Sequence, residues 1–327
     1  MHPDANNEWW YFTGHLESTD GMRYGYEFTL FKFSNQPFRI GPFPLPTVYR
    51  LDFAVTSETE GRFFSKVSTL LPLPTYHLDS RQLYARFGST LLAAVGPFTY
   101  RLRTTAGRYG LDLFLQATKA PLAQGDAGWI AMGSAGGSYY YSLTRLRTQG
   151  RLTADGVTKQ VSGLSWMDHQ WGNWDWRGMR GWDWMGIQLD DGTDVMVFAF
   201  HAGGGRLASV YGPDGDVIKS HTFSLDAVGL WNSPATGATY PAGWHLAIPE
   251  AEIYLKVSPT LPHQEMVDPT YPEGSYWEGS CTVEGTLRGH PVGGMAYVEL
   301  VGYVPSSRRQ PDRRARGANS TPVSNTL

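Results

Sequence analysis

The strongest constraint on the fold is a two-residue turn that recurs between segments of alternating hydrophobicity. Such turns stand at 20–21, 106–107, 155–156, 191–192, 214–215 and 288–289, and four of the six are Asp-Gly. After the first turn, Tyr24, Tyr26 and Phe28 share one face of a strand. Asp-Gly between alternating runs is typical of β-hairpins, and hairpins at this rhythm predict an antiparallel all-β sandwich or barrel.

Composition supports a soluble globular chain and excludes several other classes. Aromatic residues make up 14% of the chain and charged residues 17%, which excludes disorder of the whole. The chain has no run of 18 or more apolar residues, so the sequence predicts no transmembrane helix. Cys281 is the single cysteine, which excludes an intrachain disulfide and a cysteine zinc site. The best helix candidate is Ser80–Val95, whose periodicity is mediocre.

Charge separates a body from a tail. Residues 305–327 carry five Arg and one Asp, and the remainder has 22 Lys and Arg against 29 Asp and Glu. The tail lacks aromatic residues, so we expect it to be disordered, with a solvated terminus favoured over a partner-binding one. The acidic body argues against nucleic acid as a partner. The start shows no signal peptide, so the compartment stays open: periplasmic or membrane-peripheral if a leader was trimmed, and otherwise cytoplasmic.

Tryptophan is concentrated in one segment. Six of the twelve tryptophans fall within 166–184, among Asp168, His169 and Gln170. In a strand, Asp168 and Gln170 share one face, and His169 and Trp171 share the other. Weak sequence similarity between the regions around Trp9 and Trp277 indicates two β modules. The tryptophan-rich segment stands near the junction of these modules.

Four interpretations of this segment compete. A carboxyl in a Trp-lined cavity has a raised pKa and can donate a proton, while Trp faces stabilise a cation formed from an alkene. Alternatively, Asp168 and His169 form an acid–base pair for hydrolysis, although the Gly-x-Ser-x-Gly signature is absent. The aromatics also suit a binding cavity for an elongated apolar ligand, or a packed core with a buried polar pair. No metal is expected, because Asp168 and His169 point apart and no other His stands at ligand spacing.

The chain resembles the carotenoid 1,2-hydratase (hydroxyneurosporene synthase) and AttH-like family. The resemblance rests on the segments His2-Pro3-Asp4, 7–14, 138–142, 166–172, 181–184, 188–192, 276–279 and 297–303. It implies two tandem lipocalin-like β-barrel domains, which we place at residues 1–172 and 173–304, followed by the tail at 305–327. It also implies an apolar cavity, no cofactor, and either hydration of an isoprenoid double bond or isomerase or cyclase chemistry in the same fold.

The leading hypothesis is therefore a cofactor-independent hydratase acting on an isoprenoid or lipid-like small molecule. Asp168 or Asp183 would donate the proton, and His169 would position or activate water. The expected substrate-binding residues are Trp171, Trp182, Trp184, Tyr140, Gln188, Tyr276, Trp277, Glu8 and Trp10. The rivals are a non-catalytic lipocalin-like carrier of apolar ligands and an ester hydrolase. Peripheral membrane contact is compatible with an apolar substrate, and the oligomeric state is open.

Overall fold

A computed structural model describes residues 1–35, 39–40, 42–70, 77–79, 82–132, 136–201 and 205–305. The predicted tail, apart from Pro305, lies outside the described residues. Within them the chain is almost entirely β, and its helical segments are three single turns of 3-10 helix, at Trp176–Gly178, Pro249–Ala251 and Pro272–Gly274. None of the described helical segments is long and apolar enough to span a bilayer.

The first half forms one antiparallel sheet that curls into a half-barrel. Its described strands, with the small hairpin β3–β4 inserted between two of them, are β1 (Asn7–Ser18), β2 (Arg23–Ser34), β3 (Arg39–Ile40), β4 (Phe43–Pro44), β5 (Thr47–Ser57), β6 (Arg62–Leu70), β7 (His77–Asp79), β8 (Tyr84–Phe87), β9 (Thr90–Gly96), β10 (Thr99–Ala106), β11 (Tyr109–Ala117), β12 (Leu122–Ala123), β13 (Trp129–Ala131), β14 (Gly136–Ala154) and β15 (Val157–Trp174). The strand order is β6-β5-β2-β1-β15-β14-β11-β10-β9-β8-β7, so the first and last strands of the module, β1 and β15, pair at its centre.

The second half repeats this plan. Its described strands are β16 (Trp182–Leu189), β17 (Asp194–Phe200), β18 (Arg206–Tyr211), β19 (Val217–Ser220), β20 (Ser224–Ala227), β21 (Leu230–Asn232), β22 (Thr239–Pro241), β23 (Trp244–Ile248), β24 (Ile253–Pro259), β25 (Glu265–Met266), β26 (Tyr276–Leu287) and β27 (His290–Val301). The order β19-β18-β17-β16-β27-β26-β24-β23-β20 again pairs the first and last strands at the centre. The all-β, two-module prediction is confirmed.

Alternation along the central strands produces three apolar layers. Trp10 and Phe12 of β1 point into the core of the first half-barrel, and Met185 of β16 points into the core of the second. Their neighbours Trp9 and Trp184 point the other way, into a third core that both sheets share. We call this shared layer the interface core, and it is the region in which polar residues are buried beside indoles.

The predicted two-residue turns are confirmed at all six positions, because each joins two paired strands. The helix expected at Ser80–Val95 is wrong where the structure describes it. The described part forms the hairpin β8–β9, in which Ala85 and Phe87 are buried while Arg86 between them is exposed. Gly88 at the turn has a φ of 58°, a left-handed conformation that glycine adopts without strain.

One buried ion cluster ties the two sheets together. A β-bulge between Leu143 and Leu146 interrupts the pairing of β14 and directs two bulged residues towards the second sheet. The carboxylate of Asp194, which is fully buried, accepts hydrogen bonds from Thr144 at 2.8 Å and from Arg145 at 2.8 Å. The ammonium of Lys119 lies 2.8 Å from the same carboxylate. The interface is therefore a specific contact, because each charge depends on the other sheet for its partner.

Replacing Asp194 with Ala should destabilise the protein strongly. The substitution leaves the cations of Lys119 and Arg145 largely buried without a counter-charge, and breaking such a pair costs about 3 to 5 kcal/mol. Urea denaturation followed by tryptophan fluorescence measures the loss. The matched control is Glu284→Ala, which breaks the exposed pair with Lys256 and should leave the midpoint unchanged. Equal midpoints for the two variants would contradict the anchoring role.

Candidate active site

A small cavity lies in the interface core between the two sheets. The residues that line it come from strands β1, β2, β14, β15, β16, β17 and β27, and they are Trp9, Tyr11, Thr29, Phe31, Tyr140, Asp168, Gln170, Trp182, Trp184, Phe198 and Glu299. Its volume is about 30 Å³, which is close to the share of one molecule in liquid water. The lining is mostly aromatic, with two carboxyl groups, so the cavity combines an apolar wall with groups that can exchange protons.

Asp168 is the first of these carboxyls and is held by three donors. Its Oδ2 accepts a hydrogen bond from the hydroxyl of Tyr140 at 2.5 Å. Its Oδ1 accepts from Ser142 at 2.6 Å and from the indole of Trp166 at 2.7 Å. The direction of two of these bonds is fixed, because an indole N–H can only donate and because Tyr140 already accepts from the indole of Trp184 at 3.0 Å.

These bonds and the burial of Asp168 act on its pKa in opposite directions. Burial raises the pKa and the hydrogen bonds from Ser142, Tyr140 and Trp166 lower it, and the net result is a pKa raised from 3.8 to about 7. A proton on Asp168 would have to face one of these donors or point into the cavity. Near neutral pH Asp168 therefore exists in both protonation states, and its carboxylate is a much stronger base than that of an ordinary aspartate.

Glu299 on β27 is the second carboxyl of the cavity. Its Oε2 accepts one hydrogen bond, from the indole of Trp182 at 2.7 Å. Burial raises its pKa, the hydrogen bond from Trp182 lowers it, the negative charges of Asp168 and Asp52 raise it, and the net result is a pKa of about 7. Two carboxyls that repel each other in one apolar site cannot both ionise easily. Because Asp168 has three donors and Glu299 has one, the shared proton is expected on Glu299.

Four of the residues expected from sequence line this cavity: Asp168, Tyr140, Trp182 and Trp184. The others lie elsewhere. Gln188 is buried beside the cavity, where its amide donates to the carbonyl oxygens of Thr144 at 2.7 Å and Ser165 at 3.0 Å. It therefore joins β16 to the first sheet.

His169 points to the opposite face of β15 from Asp168, as strand alternation predicts. It lies in the first half-barrel, where its ring stacks on Trp10 at 5.0 Å and its Nε2 is 3.0 Å from Glu8. Burial lowers the pKa of His169 to about 4, although Glu8 raises it, so the imidazole is neutral near pH 7. Trp171 lies on the same face and stacks on His2 at 4.1 Å. The structure thus does not bring His169 to Asp168, and a shared role in one reaction centre loses its geometric basis.

The group around Glu8 is the one set of described residues with the geometry to hold a metal ion: His2, Glu8 and His169. Sequence reasoning missed it because His2 and His169 are far apart along the chain. Lys32 lies 3.5 Å from Glu8 and supplies a positive charge. Burial alone would raise the pKa of Glu8, but hydrogen bonds from His169 and His2 hold it well below its usual range. Glu8 is therefore stabilised as a carboxylate by two imidazoles and one ammonium group.

The remaining expected residues lie away from the cavity. Asp183 alternates with Trp182 and Trp184, so it points away from them and accepts hydrogen bonds from Tyr303 at 2.9 Å and pairs with His201 at 2.9 Å. Trp277 packs in the core of the second half-barrel. Tyr276 donates to Asp52 at 2.8 Å in a separate part of the sheet contact. Asp183 as an alternative proton donor thus has no access to the Trp-lined cavity.

Sequence reasoning missed Glu299 as a reacting group. The segment 297–303 carries part of the family resemblance, but nothing local marks this carboxyl as a partner of Asp168. The signal that could have found it is alternation: β27 places Tyr297 and Glu299 on one face, and both are buried or partly buried in the interface. A carboxylate that shares a face with buried aromatic residues is a candidate for a functional group.

Replacing Glu299 with Gln should change how stability depends on pH. The pKa of Glu299 is raised in the folded state to about 7 from 4.5, so its stabilising contribution is complete below about pH 4.5 and is lost as the pH rises through 7. Glutamine mimics the protonated acid and does not titrate. Between pH 4.5 and 8, the variant should gain about 1 to 3 kcal/mol relative to wild type, since one pKa unit corresponds to about 1.4 kcal/mol. Urea denaturation at several pH values tests this, and a constant difference would refute the raised pKa.

Comparison with known proteins agrees with this architecture. The sequence matches the AttH-like family over residues 1–303. The structure is similar to an AttH protein of Nitrosomonas europaea, with a TM-score of 0.82, 26% identity and coverage of 93% of this chain and 95% of that chain. It shares its fold with kievitone hydratase of Nectria haematococca, with a TM-score of 0.76, 19% identity and coverage of 92% and 90%.

Among curated proteins, the chain is similar to the dehydratase asqC of Emericella nidulans. The two are 26% identical over 215 residues, which is 62% of this chain and 61% of that protein's length. The chain thus matches about three fifths of this curated relative. Since the family match covers nearly all of the described residues and both half-barrels, the chain belongs to the AttH-like family.

Proposed function

We propose that this protein is a hydro-lyase-type acid–base enzyme that adds water to, or removes water from, an apolar unsaturated substrate in the interface cavity. The observation that carries the proposal is the pairing of Asp168 and Glu299 across one Trp-lined cavity. Two relatives are named a hydratase and a dehydratase, reactions that are the reverse of each other and need one acid and one base.

The hydrogen bonds support a distinct role for each carboxyl. Glu299, with one donor, carries the proton and acts as the general acid. Asp168, with three donors, is the carboxylate and acts as the general base, which reverses the role that the sequence alone favoured for it. In hydration, the proton of Glu299 forms a C–H bond with one alkene carbon, water forms a C–O bond with the other, and Asp168 takes a proton from that water. Dehydration is the reverse and starts from the opposite protonation states: Glu299 as the carboxylate removes the proton from carbon, and protonated Asp168 gives its proton to the departing hydroxyl, which leaves as water.

The tryptophans have two functions in this scheme. The indole N–H groups of Trp182 and Trp166 bind the two carboxyls and so fix their positions. The faces of Trp182 and Trp184 line the cavity and would stabilise positive charge that develops on the substrate carbon. Such charge is stabilised best on a branched alkene carbon, which favours an isoprenoid or similar lipid-like substrate. The small volume requires aromatic side chains such as Phe198 to move when the substrate enters.

The test is incorporation of oxygen from labelled water. Linear isoprenoid alkenes, and separately the corresponding tertiary alcohols, are incubated with the protein in ¹⁸O-water, and products are analysed by mass spectrometry. We expect labelled alcohol from an alkene, or unlabelled alkene from an alcohol. Asp168→Asn and Glu299→Gln should each lower the rate by at least about 10²-fold, the usual contribution of a general acid or base.

Two controls make this experiment decisive. Asp183→Asn removes a carboxyl on the far face of β16 and should retain turnover. Circular dichroism and the urea midpoint must show that the inactive variants are folded. Binding of the isoprenoids without conversion would replace the proposal by a carrier function. Labelling by a fluorophosphonate serine probe, together with ester cleavage, would replace it by a hydrolase.

A further inference from the structure

Acid–base hydration leaves the two carboxyls in the wrong protonation states for the next cycle. If the proposed function holds, Glu299 ends a hydration ionised and Asp168 ends it protonated. The cavity is too small for a chain of bulk water to reset them. A route for protons between the cavity and solvent is therefore a requirement of this site, and the buried groups next to it are the place to look for that route.

Tyr11 links the cavity to a deeper carboxyl. Its ring lines the cavity, and its hydroxyl donates a hydrogen bond to Oε1 of Glu278 at 2.8 Å. Glu278 pairs with Glu299 across β26 and β27, and its side chain is fully buried. A tyrosine hydroxyl can accept a proton from one side while it donates its own to the other. Tyr11 is thus placed to pass a proton between the cavity and Glu278.

Beyond Tyr11 lies a group of buried oxygens without protein partners. Among the described residues, four oxygen atoms in this region are buried and have no hydrogen bond: Thr13 Oγ1, Glu27 Oε2, Glu278 Oε2 and the hydroxyl of Tyr297. Thr13 pairs with Glu27 across β1 and β2, and the charges of Glu278 and Glu27 raise the pKa of Tyr297. Buried polar groups without protein partners are usually bridged by ordered water.

The far side of this group approaches the surface. The ring of Tyr297 lies 5.6 Å from that of His15. His15 is 3.4 Å from Glu58, and its side chain is partly exposed. Arg23, 3.9 Å from Glu58, is mostly exposed. The buried oxygens therefore lie between a cavity and a titratable pair at the edge of the sheet contact.

We propose that Tyr11, Glu278 and Tyr297, joined by buried water, form a proton relay between the cavity and the His15–Glu58 pair. In each transfer one O–H bond breaks and the next forms, so protons move without a change of oxidation state or a leaving group. The inference rests on the proposed function for its purpose, but its geometry does not depend on which substrate is used. Burial, with the charges of Glu299 and Glu27, raises the pKa of Glu278 well above its usual range, so Glu278 holds a proton that it can pass on.

The test follows the exchange of the Glu299 proton for deuterium, without substrate. Infrared spectroscopy detects protonated carboxyls by their C=O stretching bands, and the band lost in Glu299→Gln identifies Glu299. Wild-type protein is mixed rapidly with D₂O, and the shift of that band is timed. In Glu278→Gln we expect exchange at least about tenfold slower, which corresponds to a barrier higher by about 1.4 kcal/mol.

The matched control is Glu265→Gln. Glu265 is also buried and also accepts a hydrogen bond from a tyrosine, Tyr240 at 2.9 Å, but it lies in the second half-barrel. Exchange of the Glu299 band in this variant should equal that of wild type. If Glu278→Gln does not fold, Tyr11→Phe interrupts the same route and leaves Glu278 in place.

Three outcomes would overturn the relay: unchanged exchange in both relay variants, equal slowing in the Glu265 control, or no band that depends on Glu299. Failure of the proposed function has a different signature, namely neither labelled alcohol from an alkene nor alkene from an alcohol, while exchange is still slowed by Glu278→Gln. The two inferences are thus tested separately.

Discussion

Burial of carboxyl groups between two apolar sheet faces is the constraint on which this structure depends. A sheet of this kind normally turns one face to its core and the other to solvent. Here the outer faces of the central strands are covered by each other, so Asp168, Glu27 and Glu278 are withdrawn from water. Such groups raise the free energy of the folded state unless donors or protons compensate. Indole and hydroxyl donors therefore bind them, and where donors are few, the carboxyl keeps its proton.

This constraint explains the tryptophan-rich segment. An indole presents a large apolar surface and one N–H donor, so it can exclude water from a carboxyl and still bind it. Trp166 and Trp182 do this for Asp168 and Glu299, one from each sheet. The same residues that close the contact between sheets therefore also set the protonation of the candidate reacting groups. Stability and chemistry are coupled through these contacts.

Much of the fold, but only part of the site, could be predicted from sequence. Two-residue turns and period-two alternation are local, so they identify the hairpins and place Asp168 opposite His169 on β15. The helix prediction near Tyr84–Phe87 is wrong because a short hairpin, whose side chains alternate with a period of two, resembles a weak helical pattern. The partnership of Asp168 with Glu299 arises where two distant strands meet, and no local pattern encodes it. Asp183 is a candidate proton donor by sequence because tryptophans flank it, but strand alternation points its side chain away from theirs.

The position of the cavity has a consequence for substrate entry. Both half-barrel cores are filled by packed side chains, whereas the carboxyls proposed to react lie where the sheets meet. A substrate therefore has to separate aromatic residues of two sheets that Asp194 and its partners hold together. Rigid anchoring at one end of the contact, with soft aromatic packing around the cavity, permits local opening without separation of the modules. Specificity would then reside in the aromatic residues of the interface core, because the fold alone does not determine the substrate.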